Sequence, residues 1–282
     1  MDNTNYGIIW PNDEVSSLDV LEVLSANANI LYKKTYNFNN KLSELVFDIY
    51  SFDKGLKVFK AKNILEKLER LKSKNNKDVI FVGFSCNTFK DTIDLRNQIR
   101  KKFKNKTSCP AFDIFHAATS MQERQHVKNI VLSKSTIDSY NVRNNMSQNL
   151  ITLLNPLKQW ASTKSISLND ICIVGGAVLD LYGYKFCDDI DIVLPNKLRD
   201  GNYGPRAEKL VPGVDIVKKA YSKKEGVGKW YTDDELIYNN NLFVIARGIK
   251  FANLEIVKER KNYSRRKKDI DDLYKIENNI KV

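Results

Sequence analysis

The stretch Ile173–Leu194, IVGGAVLDLYGYKFCDDIDIVL, carries the reading of the fold. Two glycines come first, then an apolar run with helical spacing. Three aspartates within four positions follow, Asp188, Asp189 and Asp191, and then a β-branched run. Asp170–Val174 and Cys187–Leu194 read as strands, with a turn at Gly175-Gly176 and a helix over Ala177–Tyr182 between them. Residues two apart on a strand point to the same side, so Asp189 and Asp191 are expected to share a face. Like charges on one face repel unless a cation sits between them. A hard divalent ion, Mg²⁺ or Mn²⁺, takes carboxylate and phosphate oxygens together. Glycines ahead of a helix let a phosphate chain approach the backbone N–H groups. Asp189 and Asp191 are therefore the candidate metal ligands, and Gly175 and Gly176 the candidate nucleotide-binding residues.

Outward from this stretch, the chain has 282 residues, a hydrophobic fraction of 42% and a formal charge of +12. The length suits one large domain or two of ordinary size, and the apolar content suits packed cores. The positive charge favours anionic partners and says nothing about fold. Four cysteines without CxxC spacing and two histidines argue against a disulfide framework and a Cys/His zinc site. The first fourteen residues have neither a basic region nor a long apolar run. No segment approaches the roughly 18 apolar residues of a membrane span. The expectation is a soluble, cytoplasmic protein with no membrane partner.

Apolar periodicity in the first half predicts strands at Tyr6–Trp10, Asn29–Tyr36, Asp78–Phe84 and Ala111–His116. It predicts helices at Ser17–Asn27, Asn40–Tyr50, Leu56–Lys74, Asp91–Phe103 and Ser120–Leu132. The polar stretch Ser133–Ser147 breaks this patterning and reads as a linker. Two domains are expected, residues 1–145 and 146–282, of α+β class. A helix at Gln148–Ser162 opens the second. Two further acids of this half are Asp215, in the strand-like run GVDIVKKAY, and Glu235, in DDELIYN ahead of a hairpin-like turn.

The GG, short helix, Gly, DxD pattern resembles the nucleotidyltransferase superfamily, the DNA polymerase β-like group. It is most similar to the head domains of tRNA CCA-adding enzymes and poly(A) polymerases, with signature GGxVRDxxLG…DxD. Gly175, Gly176, Ala177, Val178, Asp180, Asp189, Ile190 and Asp191 fit it, while Leu179 stands where the signature has arginine. The segment Gly248–Ile276 resembles the closing strand and helices of minimal members. There Lys258 takes the place of a lysine facing the triphosphate, and Arg265 or Arg266, Lys268, Asp269 and Asp272 match an R…KDxxDL helix. The resemblance implies a C-terminal minimal nucleotidyltransferase fold, a mixed sheet with flanking helices. It also implies a third carboxylate on a neighbouring strand, which completes the metal site and acts as general base for an acceptor hydroxyl; Asp215, Glu235 or neither fills that place, and the sequence leaves this open. It implies transfer of a nucleoside monophosphate from a nucleoside triphosphate to a hydroxyl, with loss of pyrophosphate. RNA, a small hydroxylated molecule and a protein hydroxyl all fit as acceptor, and the charge favours RNA. The alternative is a catalytically degenerate protein that binds nucleotide or RNA on the same fold.

The first half resembles the nucleoside diphosphate kinase fold, a ferredoxin-like α/β sandwich. IIWPND (Ile8–Asp13) and FDIFHAATSMQE (Phe112–Glu123) carry the likeness, with His116 in the place of the catalytic histidine. Trp10 stands where that family has lysine, and Ala117-Ala118-Thr119 replaces Gly-Ser-Asp. A domain that binds nucleotide or acceptor is expected there.

Overall fold

The computed structural model describes residues 4–38, 41–52, 61–75, 77–143, 146–198, 208–217 and 231–282. The chain is of mixed α+β class and divides into two compact units, Met1–Leu132 and Ser133–Val282.

In the first unit the elements are β1 (Thr4–Ile9), α1 (Ser17–Asn27), β2 (Asn29–Asn37), α2 (Leu42–Tyr50), α3 (Ala61–Lys72), β3 (Asp78–Ser85), α4 (Phe89–Lys104), β4 (Phe115–Ala117) and α5 (Met121–Leu132). This is the element order that the periodicity predicts. The start of the expected Leu56–Lys74 helix, and Asn40 of the helix before it, lie outside the described residues. The four strands form an antiparallel sheet in the order β2-β3-β1-β4. β3 pairs on both edges, and its Val79–Phe84 run is buried on both faces, which is why it is apolar throughout. α1 and α4 supply the facing core. The α4 residues Leu95, Ile99 and Phe103 recur every fourth position and bury against Val82, Phe84 and Phe115. A reciprocal Thr88/Asp91 capping box starts that helix. One strand is shorter than expected. Ala111–Asp113 forms a 3₁₀ turn, and β4 begins only at Phe115.

In the second unit follow α6 (Lys134–Val142), α7 (Gln148–Thr163), β5 (Cys172–Val174), α8 (Gly176–Leu181), β6 (Ile190–Val193), β7 (Glu208–Val211), β8 (Val214–Ile216), α9 (Asp233–Tyr238), β9 (Phe243–Ala246), β10 (Ile249–Ala252), α10 (Leu254–Ser264) and α11 (Lys267–Glu277). The six strands form a mixed sheet in the order β7-β8-β6-β5-β10-β9. Parallel pairing joins β6 to β8 and β5 to β10; the other pairs are antiparallel.

The polar stretch 133–147 corrects the linker reading. Most of it is helix α6, and the division between units falls after Leu132 rather than near Asn145. Its polar residues are there to serve the outer strand β9. The Ile245 N–H donates to Thr136 Oγ1 (3.1 Å), and Arg143 donates to the Ile245 carbonyl (2.8 Å). Ser133 Oγ donates to the carbonyls of Asn240 (2.9 Å) and Phe243 (3.4 Å), and Ser135 Oγ to that of Asn241 (3.2 Å). Backbone groups that a neighbouring strand would otherwise pair are met by side chains.

Candidate active site

β5 ends at Val174, and the chain turns sharply at Gly175. The turn needs glycine twice over. Its φ of +71° is one that side-chain-bearing residues rarely adopt, and a Cβ there would lie 2.9 Å from Asp191 Oδ2. α8 then starts at Gly176, where a Cβ would meet nothing within 4 Å. On the neighbouring strands, Asp191 of β6 pairs in register with Val174 on one side and with Asp215 of β8 on the other. Directly opposed residues project from the same face, so Asp191 and Asp215 stand side by side.

Asp189 and Asp188 are exposed and lie in a bend ahead of β6, which begins at Ile190. The expected strand Cys187–Leu194 is therefore shorter, and strand alternation is not what brings Asp189 to Asp191. The two are nevertheless electrostatic neighbours. The Asp191 carboxyl is pushed up to about 6, first by burial and then by the negative charges of Asp189 and Asp215; Lys268 and Arg266 pull it back. A shift of this size corresponds to about 2 kcal/mol against the ionised form, after allowing for partial exposure.

Buried polar residues hold these elements. Asp180 of α8 is 2% exposed. It accepts from Ser147 N (2.9 Å), Ser147 Oγ (2.7 Å) and Cys187 N (3.0 Å). In α11, Asp269 accepts from Lys261 (3.1 Å), from Ser264 and from two nitrogens of Arg266 (2.6 and 3.1 Å). Burial pushes the Asp269 carboxyl up, yet these donors together hold it well below the usual carboxylate range. Lys261 also donates to Asp272 (2.7 Å), which Lys185 approaches at 3.8 Å.

Between the two candidates for the third carboxylate, the strand register puts Asp215 beside Asp191. Glu235, the other candidate, is the N3 residue of α9 and forms a capping box with Thr232. Its carboxylate accepts from Thr232 N (2.7 Å) and Thr232 Oγ1 (2.9 Å), which lowers its pKa. Lys258, the lysine that the resemblance sets toward a triphosphate, lies on α10. It pairs with Glu255 one turn earlier on α10 (3.0 Å). The cations whose charge reaches Asp191 are Lys268 and Arg266 at the start of α11. The R…KD pattern is the signal in the sequence for them.

Among the described residues no three His, Cys, Asp or Glu side chains converge as a ready metal cage. The donor chemistry fits a hard divalent ion all the same. Mg²⁺ is ordinarily held by one or two carboxylates and completes its shell with water and phosphate oxygens. Asp189 and Asp191 supply such a pair, and the raised Asp191 marks a place where positive charge is wanted.

In the first unit, His116 lies within β4 at 4% exposure. Its ring meets Tyr50 edge-on at 5.2 Å, and Nε2 is 3.5 Å from Glu123 Oε1. Burial, followed by the charges of Arg100, Lys67 and Arg96, holds it well below the usual imidazole range. Lys67 is fully buried beside it. Its ammonium donates to Asp113 (3.0 Å) and the Phe112 carbonyl (2.8 Å), and lies 4.7 Å over the Trp10 ring. Burial pushes it down to about 8. Trp10, just after β1, thus serves as a face for a lysine from α3.

Compared with protein-family models, curated proteins and solved structures, the chain finds no match in any of the three. Among the described residues no helix is long and apolar enough to cross a membrane.

Proposed function

We propose that the second unit is a minimal nucleotidyltransferase that moves a nucleoside monophosphate from a nucleoside triphosphate to an acceptor hydroxyl, releasing pyrophosphate. The observation that carries this reading is the Asp191–Asp215 register pair, with Asp189 in electrostatic reach and a glycine turn packed on Asp191. Asp189 and Asp191 would hold Mg²⁺ or Mn²⁺, which when bound offsets phosphate charge and stabilises in-line displacement. Gly175 and Gly176 leave open backbone beside the carboxylates, where phosphates can approach. Lys268 and Arg266 face the negative charge of the triphosphate and of the departing pyrophosphate. Asp215 is the base that takes the acceptor proton. Positioning and fixed charge supply the catalysis, as in phosphoryl transfer generally.

The charge of +12 favours an RNA acceptor. Four free thiols, three of them buried, favour a cytoplasmic setting. The antiparallel β2-β3-β1-β4 order supports a ferredoxin-like sandwich of nucleoside diphosphate kinase type in the first unit. The buried neutral His116 beside Lys67 supports a binding role there rather than phosphotransfer.

The test is thermal stability with ATP, CTP, GTP or UTP, with and without Mg²⁺, for the wild type and an Asp189→Ala/Asp191→Ala variant. A Mg²⁺-dependent shift that the variant loses upholds the site and identifies the nucleotide. No such shift with any nucleotide overturns it in favour of a degenerate binding protein.

A further inference from the structure

Asp189 sits in a bend, so no ladder of strand hydrogen bonds fixes it. The peptide two residues earlier is gripped instead. The Cys187 N–H donates to Asp180 Oδ2 at 3.0 Å, and the Cys187 carbonyl accepts from Asn149 Nδ2. One grip comes from α8, four residues after the glycine pair, and the other from the first turn of α7. The same Asp180 carboxylate takes both the N–H and the hydroxyl of Ser147, the residue that caps α7 through Leu150 N (3.0 Å). The glycine turn, the start of α7 and the approach to Asp189 are therefore tied through one buried side chain. An acceptor-only carboxylate suits three donors; an asparagine would turn an NH₂ toward one of them. Asn149 is exposed and has no core to fill, and α7 already has its cap in Ser147.

We infer that Asp180 and Asn149 are positioning residues that clamp the Cys187 peptide and so hold Asp189 in place for a divalent cation. This rests on the reading of the second unit as a nucleotidyltransferase. Residues that orient metal ligands without touching the metal change affinity on substitution by about 10- to 100-fold.

The test measures Mn²⁺ affinity from water-proton relaxation enhancement on the full chain. The variants are Asp180→Asn, Asn149→Ala, the Asp189→Ala/Asp191→Ala pair, and Leu150→Ala as a packing control. Leu150 is fully buried on α7, so its truncation lowers the melting temperature without loosening Cys187. Asp180→Asn is expected to weaken Mn²⁺ binding tenfold or more, and Asn149→Ala several-fold, while Leu150→Ala binds like the wild type. Wild-type affinity in both clamp variants overturns the inference, as does an equal loss in Leu150→Ala. Should Asp180→Asn not fold, Asn149→Ala decides alone. If the wild type binds no Mn²⁺ that the Asp189/Asp191 variant loses, the reading of the site falls first and the clamp falls with it.

Discussion

Asp191 and Asp215 face each other across the parallel strands β6 and β8, in direct register. Both are partly buried, and burial together with the charges of Asp189 and Asp215 disfavours the ionised form of Asp191. In the folded protein Asp191 keeps a proton that the unfolded chain, with its ordinary value of 3.8, has released. Between about pH 4 and pH 6 the native state therefore binds more protons than the unfolded state. Stability contributed by this group is complete below that window and is lost as pH rises through it. Asp191→Asn is expected to flatten this part of the stability profile and to raise unfolding free energy at neutral pH by about 1–2 kcal/mol in metal-free buffer. Denaturant melts at pH 4, 5, 6 and 7 measure it; an unchanged slope would contradict the assignment.

The two acids left open by the sequence are separable by substitution. Glu235→Ala removes half of a capping box and is expected to lower the melting temperature slightly while leaving Mg²⁺-dependent nucleotide binding as it was. Asp215→Asn is expected to do the reverse: stability is kept or gained, and turnover falls at least 100-fold. The paired comparison of melting and label transfer from an α-labelled triphosphate checks both.

Much of this site was legible because its chemistry is local. Gly175, Gly176, Asp189 and Asp191 lie within seventeen residues, and a DxD beside apolar residues leaves few explanations. The choice between Asp215 and Glu235 was not local. It is made by strand pairing across a sheet whose order, β8-β6-β5, follows no simple sequence rule. Glu235 looked catalytic because a capping-box glutamate and a catalytic one have the same short-range surroundings. The cations near Asp191 were hard to single out for a related reason: α10 and α11 are both basic, and the helix-to-helix turn at Arg265, in the left-handed region, sets how α11 follows α10.

Asp269 is buried and held well below the ordinary carboxylate range. Its stabilising contribution is present above about pH 4 and is lost as pH falls below that. Asp269→Ala leaves Lys261 with Asp272 alone and strips Arg266 of its anchor. A loss of about 3–5 kcal/mol is expected, the range for breaking a buried ion pair. Chemical denaturation at pH 7 tests it, and a loss under 1 kcal/mol would show the network to be dispensable.

His116 and His126 are the two histidines of the chain, so imidazole resonances are few enough to assign by substitution. His116 is expected to stay neutral, its ring resonances unmoved as pH falls through the ordinary imidazole range. Because its folded value is depressed, the first unit loses stability as pH falls below the ordinary imidazole range. A normal titration curve for His116 would mean that the ring is open to water and the cations around it are not packed as described.

The hydroxyls and guanidinium that α6 lends to β9 bear on how the chain can be divided for study. A fragment started at residue 146, where composition changes, would carry β9 with bare amide and carbonyl groups along its outer side. Such an edge recruits strands from other copies, and that fragment is expected to aggregate or exchange strands. One started at Ser133 keeps its own guard and is expected to stay monodisperse. A stretch that looks like spacer by its composition is what keeps the sheet from polymerising.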